Sequence, residues 1–168
     1  MPPADPPLNQ QIHTLYSEHH GWLQAWLKRK LGNAWDAADL AHDTFLRLLS
    51  RPLTRPLGHE PRALLTHIAK GLVVDRWRRQ DVERAYLETI AHLPVEEVPG
   101  PETRLLILEA LWRIEALLRE MPAATREAFL LSQIEGLTYP QIAARLDLSL
   151  ITVKRYMRSA FITCLSVA

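Results

Sequence analysis

Cysteine is almost missing from this chain: Cys164 stands alone among 168 residues. No intramolecular disulfide can form and no cysteine-based zinc site can be assembled, which fits a reducing compartment. Long apolar runs are missing as well, since none approaches the ~20 residues that a transmembrane helix needs. The opening MPPADPPLNQ has neither a basic segment nor an apolar one, so it does not read as a secretory leader. A soluble, cytoplasmic protein is expected. The six glycines form no phosphate-cradling loop, and no nucleophile, base and acid stand at a catalytic spacing. The seven histidines are scattered, and the adjacent His19 and His20 would diverge on a helix. No catalytic residue, metal, cofactor or small-molecule substrate is therefore expected. Period-two alternation is absent too, which excludes a sheet protein.

What remains is an ordinary globular composition, 48% hydrophobic and 23% charged, so global disorder is excluded. The net charge of +1 conceals a segregated pattern. Residues 62–80 carry Arg62, Lys70, Arg76, Arg78 and Arg79 against Asp75, a net of +4. Residues 81–102 carry six carboxylates against Arg84, a net of −5, and residues 145–158 return to +3. A solvated helix face accounts for any one basic patch. Two such patches, each on its own helical unit, point to a polyanionic partner.

Prolines divide the chain. Pro2, Pro3, Pro6 and Pro7 make an N-terminal arm. An apolar stripe through Ile12, Leu15, Tyr16, His19, Trp22, Leu23, Trp26 and Leu27 predicts a helix that stops at Gly32. A second helix is predicted from about Asp36 to Leu49. Pro52, Pro56, Gly58 and Pro61 forbid regular structure over 51–61. A third helix begins near Pro61, runs past Arg79 and buries Leu65, Ile68, Ala69, Leu72 and Val73. The segment 93–103, with three prolines and three glutamates, reads as an exposed linker. Beyond it, a helix repeats through Ile107, Leu111, Ile114 and Leu118, and another runs from Pro122 to about Ile134. Two more start at Thr138 and Ser149. The fold class is all-α: two small helical domains, 8–92 and 104–168, joined by a flexible linker at 93–103.

The most specific local pattern is TYPQIAARLDLSLITVKRYMR at 138–158, laid out as a helix-turn-helix. Ile142 and Leu146 pack beneath the first helix, and Ala143 permits a close crossing. Asp147, Leu148 and Ser149 turn, and Val153 and Tyr156 return to the core. Helical spacing then turns Ser149, Leu150, Lys154, Arg155 and Arg158 outward, a surface suited to the major groove. A helical hairpin with a basic surface is the plainer reading of the same residues.

On the third helix, His67, Lys70, Val74 and Arg78 share a face opposite Leu65, Ala69 and Leu72. Trp77, among the arginines, is placed either to stack on an unpaired base or to extend the core after Val73. Asp36, Asp39 and Asp43 form a carboxylate stripe on the second helix. Helix-dipole complementation is its bland reading, and a docking face for a protein is the other. No second cluster supports a metal or acid–base site.

Taken together, these segments resemble the sigma subunits of bacterial RNA polymerase, in the small two-domain extracytoplasmic-function group. Residues 15–49 resemble the first two helices of sigma domain 2, residues 64–91 the helix facing the promoter −10 element, and residues 118–157 domain 4. The wording EHHGWL, DAADLAHDTFLRLL and AKGLVVDRWRRQ is similar to the FecI-like iron-starvation subgroup. The resemblance covers nearly all of the chain after residue 11.

It implies that Asp39, His42 and Asp43 dock on the β′ clamp helices of the polymerase core. It implies −10 recognition by the third helix, through His67, Lys70, Trp77, Arg78 and Arg79, with loop 51–61 capturing a flipped base. It implies −35 recognition by Ser149, Leu150, Lys154, Arg155 and Arg158. The expected partners are core polymerase, promoter DNA and an anti-sigma factor anchored in the membrane, and the expected genes are those of iron and siderophore uptake. Gly71 stands where many members carry Asn, and Ile151 stands where a polar residue is common. The alternative from the residues themselves is a conventional helix-turn-helix regulator that binds DNA without being a polymerase subunit.

Overall fold

The computed structural model describes residues 7–50 and 60–167, so most of loop 51–61 and the prolines of the N-terminal arm up to Pro6 lie outside the described residues. Every regular element among the described residues is helical: α1 Leu8–Leu31, α2 Ala34–Ser50, α3 Pro61–Ile90, α4 Pro101–Glu120, α5 Ala123–Gln133, α6 Tyr139–Leu146 and α7 Leu150–Val167. A single 3₁₀ turn, Val95–Glu97, precedes α4. None of these helices is long and apolar enough to cross a membrane. The chain divides into two compact units, 1–81 and 82–168, with the division falling inside α3. The proline-rich stretch 93–103 holds the 3₁₀ turn and the first residues of α4.

In the first unit, α1 ends as its sequence dictates. Gly32 takes φ 78°, which costs glycine nothing, and donates its N–H to the Lys28 carbonyl. Lys28, Arg29 and Lys30 occupy that last turn, where cations complement the exposed carbonyls. Asn33 then caps α2, its side-chain oxygen accepting the Asp36 N–H at 2.8 Å. Leu23, Leu27, Ala37, Leu40, Phe45 and Leu48 meet Leu65, Ile68, Ala69 and Val73 in one core drawn from all three helices. Each fully buried leucine there contributes about 1.5–3 kcal/mol. Arg62 of α3 lies over the Trp22 ring of α1, 4.9 Å from its centroid.

A polar tie joins α2 to α3: Arg76 Nη2 donates to Asp36 Oδ1, and Arg76 Nη1 lies 4.0 Å from Asp39 Oδ2. The Arg76 and Asp36 side chains are 31% and 23% exposed, between a surface pair and a buried one. Arg76→Ala is accordingly expected to destabilise this unit by about 1–2 kcal/mol, read as a lower urea midpoint with an unchanged slope. A midpoint indistinguishable from that of the parent protein would show the tie to be energetically idle.

In the second unit, α7 packs against α4, α5 and α6. Ala128, Leu131, Ile142, Ala143, Val153 and Met157 form its core. Of the anticipated stripe of α4, Ile107, Leu111 and Leu118 are partly buried and Ile114 is half exposed, while the buried residue of this helix is Leu108, beside the stripe. Apolar side chains surround α4, from Leu105 through Leu108 and on to Leu118, so periodicity alone does not select a face.

Candidate nucleic-acid interface

The helix-turn-helix at 138–158 is built from local signals. The Thr138 N–H donates to Gln141 Oε1 at 2.8 Å, and Pro140 sits in the first turn of α6, where a missing N–H costs nothing. Asp147 closes α6 in the left-handed region at φ 54°, a conformation its short polar side chain tolerates. Ser149 then opens α7, its Oγ accepting the Thr152 N–H at 3.2 Å. Ile142 and Val153, fully buried on the two helices, fix their crossing.

That crossing decides what α7 presents. Lys154, Arg155 and Arg158 are exposed, as is Leu150, while Val153, Met157 and Ala160 face inward. The expected −35 residues are therefore brought together on one face. Ser149 is exposed too, but its hydroxyl is engaged with Thr152 as the helix cap. Arg155 also lies 5.6 Å from the Tyr156 ring centroid, a contact that restrains its long side chain. Ile151, standing in the middle of this face, was not among the expected contacts.

On α3, His67, Lys70, Trp77 and Arg78 are exposed and share one side of the helix. Trp77 does not extend the core; it is 45% exposed. Arg79 is exposed as well, but helical spacing puts it on the side opposite Lys70, about 180° away, and about 160° from Trp77, so it is not brought to the same face. Two of the five cations in 62–80 are accounted for inside the unit, Arg62 over Trp22 and Arg76 on Asp36. Lys70 and Arg78 carry the positive charge of the outer face, with Asp75 4.0 Å from Arg78. A Cβ at Gly71 would meet nothing within 4 Å, so packing does not demand glycine on this face.

The carboxylate stripe of α2 splits into two roles. Asp36 belongs to the tie with Arg76, a function that periodicity could not reveal because its partner lies on another helix. Asp39 and His42 are exposed and Asp43 is half-buried; their spacing at i, i+3 and i+4 makes one ridge. Beside the ridge an apolar groove of about 280 Å³ opens between α1 and α2, lined by His42 with Tyr16, Phe45, Leu46 and Leu49. Among the described residues, no group of three or more His, Cys, Asp or Glu could hold a metal ion.

Comparison with known proteins bears directly on this arrangement. The family described as Sigma-70 region 2 matches residues 15–83, and that described as Sigma-70, region 4 matches residues 111–164. The ferric citrate uptake sigma factor FecI of Escherichia coli (strain K12) is 46% identical over 154 residues, which cover 92% of this chain and 88% of that protein. The chain belongs to the extracytoplasmic-function sigma factors of RNA polymerase, in the FecI-like subgroup. A second relative, the ECF RNA polymerase sigma factor SigE of Mycolicibacterium smegmatis, is 33% identical over 83% of the chain and 54% of its own length. The region 2 match takes in α1 from Leu15 onward, all of α2 and most of α3, and ends near the division between the compact units. The region 4 match takes in the whole helix-turn-helix. This sigma factor is thus an alternative initiation subunit, a regulator of transcription that directs polymerase to specific promoters.

Proposed function

We propose that this sigma factor docks on the β′ clamp helices of core polymerase through the Asp39, His42 and Asp43 ridge. It reads the −35 duplex with Lys154, Arg155 and Arg158, flanked by Ser149 and Leu150, and engages the −10 element with His67, Lys70, Trp77, Arg78 and Arg79. Residues 8–92 act as the docking and −10 domain, residues 104–168 as the −35 domain, and 93–103 as the link. One observation carries the reading: cations that no packing requires are displayed on a helix whose opposite side is buried in the core. The ridge beside an apolar groove gives polymerase both a charged and an apolar foothold.

The protein has no reaction of its own and works in the cytoplasm. Positive faces bring the holoenzyme to DNA, direct contacts select the −35 sequence, and exposed Trp77 offers a stacking surface to an unpaired base. Its genes are those of iron and siderophore uptake, a reading supported by the 46% identity with a ferric citrate uptake sigma factor. Its free form is held by a membrane-anchored anti-sigma factor. Run-off transcription with purified core polymerase tests the whole reading. Added sigma factor is expected to yield a discrete transcript from an upstream region of an iron-uptake operon. No transcript above that from core alone, on any such template, would remove it.

A further inference from the structure

Ile151 is 80% exposed, more than any other large apolar side chain of the helix-turn-helix. It is not at the margin of the basic face. Ile151, Lys154, Arg155 and Arg158 stand at i, i+3, i+4 and i+7, so the isoleucine lies among the three cations. It is the second residue of α7, at the end of a recognition helix that approaches base edges most closely. Leu150 beside it is exposed as well, at 39%, while the helix cap occupies the Ser149 hydroxyl. An isoleucine so placed gains nothing from phosphate oxygens, and pressed against a polar base edge it would strip water without replacing a hydrogen bond. One apolar group faces outward in the major groove, the C5-methyl of thymine.

We propose that Ile151 is a specificity-determining residue that packs on the C5-methyl of a thymine in the −35 duplex. Leu150 closes the flank of that contact, and Lys154 and Arg155, one turn further along, fix the helix on the backbone and neighbouring bases. The proposal rests on the reading of α7 as the −35 recognition helix. It turns an exposed apolar residue of the basic face into a preference for T·A over C·G, because cytosine offers no methyl there. Isoleucine has no hydrogen-bonding group, so the discrimination is that of one buried methyl, about fourfold in affinity, which corresponds to about 0.8 kcal/mol.

The test uses holoenzyme and a duplex that the holoenzyme itself enriches from a randomised pool. Each thymine of the enriched upstream element is replaced in turn by deoxyuridine, which deletes the methyl and leaves base pairing unchanged. The parent protein is expected to lose about fourfold in affinity at one or two positions. Ile151→Ala, at an exposed site, is expected to fold normally, to bind the unmodified duplex about fourfold more weakly, and to be indifferent to uracil at those positions. Indifference of the parent protein to every uracil, or full methyl sensitivity retained by Ile151→Ala, would overturn the proposal. A Lys154→Ala, Arg155→Ala variant run alongside separates the two levels. If it binds as the parent does, α7 is not the recognition helix and both readings fail. If it weakens binding while no uracil has an effect, the assignment of Ile151 alone fails.

Discussion

An Asp39→Lys, Asp43→Lys variant is expected to lose about two orders of magnitude in affinity for core polymerase while keeping its helical circular dichroism. Reversing charges within a complementary interface costs several kcal/mol, and about 3 kcal/mol is already a hundredfold. The fold has little stake in either side chain. The Asp39 side chain is 66% exposed, and its separation of 4.0 Å from Arg76 makes that pair worth at most a few tenths of a kcal/mol. Asp43 is half-buried, and a lysine there can lay its stem along the helix and keep its ammonium in water. Asp36 is left out of the variant because it holds Arg76. Affinity measured by competition for core against a second sigma factor checks the expectation. Unchanged competition with intact helicity would remove the ridge from the polymerase interface.

The second large effect is a separation of defects. Lys154→Ala with Arg155→Ala is expected to reduce transcription from a complete promoter by at least tenfold. A base-edge contact is worth roughly 1–3 kcal/mol, and loss of a phosphate contact adds a weakening that is uniform across sequences. The same variant should be nearly normal in forming open complexes on a template already melted around −10. Lys70→Ala with Arg78→Ala is expected to do the reverse, with impaired opening on duplex DNA and partial rescue by the melted bubble. The two sets of residues lie in different compact units, so neither should disturb the folding of the other. Equal loss on duplex and melted templates by both variants would contradict the division of labour. Equal loss in core binding would mean that a polymerase surface has been mistaken for a DNA surface.

Much of this organisation could be read from residues close in sequence. Gly32, Pro61, Pro122, Thr138 and Ser149 act through their own turns, and each stands where the structure starts or stops a helix. The strong stripe of early α3 gave its buried face correctly, through Leu65, Ile68, Ala69 and Val73. Legibility ended where partners are distant in sequence or where a helix is apolar all round. Asp36 looked like one of three equivalent carboxylates until Arg76 was seen to reach it from another helix. On α4 the ring of leucines and isoleucines hid the side that would be buried. Between Asp81 and Val82 the helical pattern of α3 runs on unbroken, so no local signal marks the division of the compact units. Trp77 and Ile151 show the same limit from the other side, since exposure of a large apolar residue is a property of the assembled surface.

The most direct measurement of the central claim is promoter binding with and without core polymerase, on one duplex in one buffer. The basic faces are small and lie on separate units, so each alone is expected to meet DNA with few contacts. The sigma factor by itself is expected to shift the duplex weakly, at micromolar protein and without preference over an unrelated sequence. With core present, a promoter-specific complex is expected that resists competitor DNA. Specific binding at nanomolar concentration by the protein alone, unaffected by core, would contradict the account and identify a conventional helix-turn-helix regulator.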